Sequence, residues 1–157
     1  MSQEISHAQF TKSLFSLFDE TFEKVEGLYL DEGTSLFETL NTVSADQASR
    51  PIVTGGTTIA AHVEHTRFYL HVLKDYIQGK WHEKVDWKES WKIRSVTVQE
   101  WESLRQQLRQ AYDNVSNLVR GIDDWNDEHK IGGALGILAH TAYHLGAVRQ
   151  IVRVVKE

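Results

Sequence analysis

His140 and His144 stand four residues apart in Gly136-Ile137-Leu138-Ala139-His140-Thr141-Ala142-Tyr143-His144-Leu145-Gly146-Ala147-Val148-Arg149. The segment reads as helix, and this spacing stacks both imidazoles on one helix face. Ile137, Val148 and Ile151 share that face, so the pair is set in an apolar stripe that should point inward. Two buried imidazoles need partners, and neutral imidazole is the commonest protein ligand for a metal. A cation needs a third ligand. His62 and His65 offer it from a second helical segment. His62 lies in the stripe Ile59, His62, Thr66, Leu70, Leu73 and Ile77. His65 lies about 60° further round, with Ala61, Phe68 and Val72. Either one completes a three-histidine site with positions left open for water or substrate. The competing reading is a set of hydrogen-bonded core histidines without a metal.

Other chemistries fit less well. A di-iron bundle needs two Glu-x-x-His motifs, and the one match, Glu4-Ile5-Ser6-His7, precedes the first helix. The zincin motif His-Glu-x-x-His is missing. Gly55-Gly56-Thr57-Thr58 lacks a P-loop lysine and reads as a helix cap. Ser90 and Thr141 are hydroxyls without a triad, and His7, His71, His82 and His129 read as surface or loop residues. The chain has no cysteine, which excludes disulfides, thiolate zinc sites and a cysteine nucleophile. A net charge of −5 without a basic run argues against nucleic acid as partner. Met1-Ser2-Gln3-Glu4-Ile5 has no signal-peptide pattern, and no continuous apolar run reaches the roughly 20 residues of a membrane span. The expectation is a cytoplasmic protein away from membranes.

The elements that must position the histidines follow from periodicity. A first helix is expected over 6–25, opened by Ser6 and Gln9 at capping-box spacing, with Phe10, Leu14, Leu17, Phe18, Phe22 and Val25 inward. A short helix over 34–42 and a capped turn at Ser44 and Gln47 precede Pro51. The second long helix spans 57–78, before Gly79. A third begins at the capping box Thr97/Glu100 and repeats Trp101, Leu104, Leu108, Tyr112, Val115, Leu118, Val119 and Ile122 at helical spacing. The fourth runs over 131–155, after a polar connection at 123–130. Between the second and third lies a crossover with Trp81, Trp87 and Trp91, expected to pack over the bundle or a cavity mouth, with Ile137, Val148 and Trp87 as pocket-lining candidates. No alternating strand pattern occurs. A chain of 157 residues fits one domain over 1–157, an all-α four-helix bundle with long connections between helices 1 and 2 and helices 2 and 3.

Ile59-Ala60-Ala61-His62-Val63-Glu64-His65-Thr66-Arg67-Phe68-Tyr69-Leu70, followed by His140-Thr141-Ala142-Tyr143-His144-Leu145-Gly146-Ala147-Val148-Arg149-Gln150, resembles the DinB-like (DinB/YfiT) superfamily. The C-terminal segment is similar to that family's His-x-x-x-His-x-Gly-x-x-Arg pattern. Leu145 and Ala147 stand where the usual form has arginine and glutamine. The resemblance implies a four-helix bundle, with His62, His140 and His144 as ligands of a divalent nickel, zinc, iron or manganese ion. His65 would then be a neighbour of the ligands, or a substitute if the helix is rotated. It also implies a small-molecule substrate, a homodimer, and thiol-dependent transferase chemistry using mycothiol, bacillithiol or glutathione. A hydrolase using metal-bound water is the second expectation. The alternative of another class is a non-enzymatic, stress-related bundle with a structural metal or a small-ligand pocket. Glu64 and Tyr143 flank the ligands in sequence, but helical geometry turns both away from the metal face.

Overall fold

The computed structural model describes residues 5–157. Glu4 of the Glu-x-x-His spacing, and most of the N-terminal stretch read for a signal peptide, lie outside them. The described residues form six α-helices: α1 His7–Phe22, α2 Leu36–Leu40, α3 Ala45–Ala48, α4 Ile59–Ile77, α5 Val98–Arg120 and α6 Glu128–Val155. Among these residues there is no strand. The four long helices α1, α4, α5 and α6 make the bundle, and α2 and α3 occupy the long first connection. The second connection contains one 3₁₀ turn, Glu89–Trp91.

The caps are mostly where side-chain chemistry puts them. Ser35 with Glu38, Ser44 with Gln47 and Thr97 with Glu100 each form a reciprocal capping box. Thr58 caps α4 by accepting from Ala61 N–H, so the Gly55–Thr58 segment is a cap. Ser6 does precede α1, but its hydroxyl makes no capping bond, contrary to the expected box with Gln9. α6 starts three residues earlier than expected, because Asp127 accepts from His129 N–H and draws 128–130 into the helix.

α1 also ends earlier than its apolar repeat suggests. Glu20 is fully buried. Its Oε2 accepts from the N–H groups of Glu26 and Leu28 at 3.1 and 2.8 Å, and its Oε1 from Tyr29 and Leu30 at 2.6 and 2.7 Å. Gly27 takes φ +88°, a left-handed conformation that side chains disfavour, and allows this wrap. The backbone of 26–30 thus bonds one carboxylate in place of a further helical turn.

α4 is the central helix, in contact with α5, α6, α3 and the 3₁₀ turn. It is therefore buried on more than one face: Ile59, Ala60, Ala61, His62, Val63, His65, Thr66, Leu70 and Ile77 are all inside. α6 is long and apolar enough to cross a membrane, yet it packs against α4 and α1 and turns Thr141 and His144 inward. That is the behaviour of a bundle's core helix. Ile137 and Val148 are core residues, 0% and 1% exposed, and not pocket lining as expected.

Gly133 sets the approach of α6 to α4. A Cβ there would collide with Cγ1 and Cδ1 of Ile77, whereas one at Gly132 would meet open space. We expect Gly133→Ala to cost about 1–3 kcal/mol from overpacking, against a helix-propensity gain for Gly132→Ala of roughly 0.5–1 kcal/mol. Urea denaturation of the two variants checks this. Equal midpoints would mean that the helices are not in register at this point.

Candidate metal centre

Four imidazoles meet between α4 and α6. His65 Nε2 lies 3.0 Å from His140 Nε2, and His144 Nε2 lies 3.2 Å from the same atom. One ligand nitrogen from each of His65, His140 and His144 falls within 4.8 Å of the others, so these three form a group able to hold a metal ion. Ligands bonded at about 2.1 Å hold their nitrogens about 3 Å apart at right angles and about 3.4 Å apart at tetrahedral ones, so the two separations to His140 suit one cation. His62 is adjacent, but it meets His144 on that ring's other side, Nδ1 to Nδ1 at 2.9 Å. Its Nε2 is 3.1 Å from Thr57 Oγ1. Of the three positions expected to ligate, His140 and His144 are brought together in this group, whereas His62 meets His144 alone and His65 stands in the place facing His140.

The remaining nitrogens of the group are unequal. His65 Nδ1 is 2.7 Å from Ser90 Oγ, and Ser90 Oγ donates to the Trp87 carbonyl at 2.7 Å. His144 Nδ1 faces His62. His140 Nδ1 is buried without a hydrogen-bond partner among the described residues. Aromatic rings wall the group. Trp91 stacks on His65 at 4.1 Å and 20°, and Tyr69 on His140 at 3.5 Å and 5°. Gly136, one turn before His140, leaves room for the Tyr69 hydroxyl, which would sit 3.3 Å from a Cβ there.

Burial makes all four imidazoles weak bases, and their mutual repulsion as cations adds to this for His62, His140 and His144. His144 is lowered to about 3, His62 and His140 to about 4, and His65 is lowered as well. Near neutral pH each ring is therefore neutral, with one N–H and one lone pair, so His65, His140 and His144 can each offer a lone pair to a cation. The structure also explains which neighbours stay out. Glu64 forms a bidentate pair with Arg67, both bonds 2.7 Å, and Tyr143 is 74% exposed.

The tryptophans divide. Ser90 is fully buried, Trp91 half-buried on His65, and Trp87 rests on Phe68 and Tyr69 while 39% exposed. Trp81 does not cover the bundle as expected; it is 61% exposed, against Tyr76 and His129. A cavity of about 410 Å³ lined by Phe10, Trp125 and Ile131 touches none of the four histidines. Ser90 and Thr57 face His65 and His62, although in sequence they read only as a hydroxyl without a triad and part of a helix cap, and Tyr69 has no role there at all. The one signal for Ser90 was its place between Trp87 and Trp91 in an aromatic segment too apolar to stand in solvent.

A family model for the DinB superfamily matches residues 30–148. That is most of the chain and includes the four clustered histidines, so the protein belongs to the DinB superfamily. No curated protein and no solved structure gives a significant match.

Proposed function

We propose that this member of the DinB superfamily binds one divalent cation through His65, His140 and His144 and serves thiol-dependent transfer to a small electrophilic substrate. The observation that carries the reading is the use of the fourth imidazole. His62 Nδ1 engages the outer nitrogen of His144, so three nitrogens, not four, converge. A purely structural site is normally closed by four protein ligands, whereas three leave room for a substrate. Imidazole donors suit zinc, nickel or iron. When bound, such a cation supplies Lewis acidity that favours the thiolate of a bound thiol, or the hydroxide of a bound water.

The chain's residues supply the setting. Three neutral ligands leave the ion's positive charge uncompensated and favour an anionic sulfur. With no cysteine in the chain, that sulfur comes from a low-molecular-weight thiol. In the transfer, sulfur bonds to an electrophilic carbon, the thiol proton passes to solvent, and the leaving group departs with its electron pair. Trp91 and Tyr69 hold the imidazole planes by stacking. His140 and Trp87 are the partly exposed members of the group and mark the side of approach.

Elemental analysis of untagged protein tests the ligand set. About one metal per chain is expected in wild type and in His62→Gln, with loss in His65→Ala and His144→Ala while helicity is kept. Loss in His62→Gln with retention in His65→Ala would instead return the ligand role to His62. Turnover with bacillithiol or glutathione and a reactive electrophile then tests the transfer. A metal-loaded protein inert across several thiols would sink the transferase reading and leave the hydrolase.

A further inference from the structure

The two α4 histidines present the same chemistry to α6, one turn apart, and something must decide between them. Hydrogen-bond counting supplies the answer. A serine hydroxyl has one proton. Ser90 gives it to the Trp87 carbonyl at 2.7 Å, an atom that can only accept. Toward His65 Nδ1, also at 2.7 Å, the same oxygen can therefore only accept. Both contacts are satisfied together only when Nδ1 carries the ring proton, and in a neutral ring Nε2 is then a bare lone pair. That lone pair is the atom facing His140 at 3.0 Å. His62 instead turns its two nitrogens to Thr57 and to the outer nitrogen of His144, not to His140.

We infer that Ser90 is a positioning residue of the metal centre: its hydroxyl commits His65 to ligate through Nε2 and so makes His65, not His62, the α4 ligand. The inference rests on the three-histidine reading above. Ser90 is fully buried in the 3₁₀ turn Glu89–Trp91, and the same turn lays Trp91 flat on the His65 ring. The hydroxyl fixes the proton and the indole fixes the plane, as partners of metal-bound histidines commonly do. The Trp-rich crossover is on this view part of the site and not merely its cover.

Two-bond ¹H–¹⁵N correlation spectra of metal-free protein with ¹⁵N-labelled histidine read the tautomer directly, without any variant. His65 is expected to carry its proton on Nδ1. In Ser90→Ala the His65 tautomers should redistribute, and zinc affinity, measured by competition with a chromophoric chelator, should fall by about 10- to 100-fold. Ser90→Thr, which keeps the hydroxyl, should restore both. Wild-type His65 protonated on Nε2, or Ser90→Ala with unchanged tautomer and zinc affinity, overturns the inference. His140→Phe separates the two ideas. If it still binds zinc like wild type, the three-histidine reading itself has failed. If it does not, while Ser90→Ala does, only the role of Ser90 is lost.

Discussion

Metal-free His140→Phe should be about as stable as metal-free wild type, and should have lost the metal. Both halves follow from the same contacts. His140 Nε2 sits within 3.2 Å of two other imidazole nitrogens, and its Nδ1 is buried without a partner. A buried polar atom left unpaired costs about 1–3 kcal/mol. Phenylalanine removes that penalty and keeps a flat ring beneath Tyr69, which stacks on the present one at 5°. It also takes the partner from His65 Nε2 and His144 Nε2, so the two effects offset. The loss of affinity is the larger effect. Structural zinc sites are worth about 10–16 kcal/mol over four ligands, so one ligand corresponds to roughly 3 kcal/mol, or about a hundred-fold in Kd. Thermal melts in chelator and in excess zinc separate the terms. Wild type should gain in Tm with zinc through mass action, and the variant should not. A variant far less stable than wild type in chelator would mean that His140 is a packing residue, and the site's polar strain is not real.

That the sequence showed the histidines but left α4 open between His62 and His65 has a physical cause. A helical stripe fixes a rotation only when one face of the helix is buried. α4 is buried on several, by α5, α6 and the 3₁₀ turn, so His62 and His65 are both inside and periodicity alone does not rank them. The deciding contact comes from Ser90, 25 residues further along the chain. Helix existence was legible because Thr97/Glu100 and Ser44/Gln47 act locally and the apolar repeat of α5 lies on a single face. The end of α1 was not, because Glu20 competes for backbone N–H groups up to ten residues away, and no spacing rule announces that competition. Gly133 is a third case. Its sequence neighbours read as ordinary helix, and its need to be small arises only where Ile77 crosses it.

Replacing Glu20 by glutamine should cost on the order of 3 kcal/mol, through loss of a charge that four N–H groups were arranged to receive. For a chain of this size that is roughly a 10 °C fall in Tm. An amide turns an NH₂ toward donors and leaves some of them unpaired. The effect should also carry a pH signature that a packing defect would lack. Burial alone would raise the Glu20 carboxyl, but the backbone bonds from Tyr29, Leu28, Leu30 and Glu26 outweigh it and hold the pKa at about 2, below the ordinary 4.5. A depressed carboxyl stabilises the fold fully above its unfolded pKa and loses that contribution as pH falls toward the folded value. The Tm gap between wild type and Glu20→Gln should therefore be constant from neutral pH to about pH 5, and should close between 4.5 and about 2. The histidines do not confuse the comparison. Their lowered pKa values make both metal-free proteins lose stability together as pH falls from 6.5, since the unfolded chain takes up those protons first. A gap unchanged at pH 3 would show that Glu20 acts through shape and not charge. The wrap of 26–30 around Glu20 would then need another explanation.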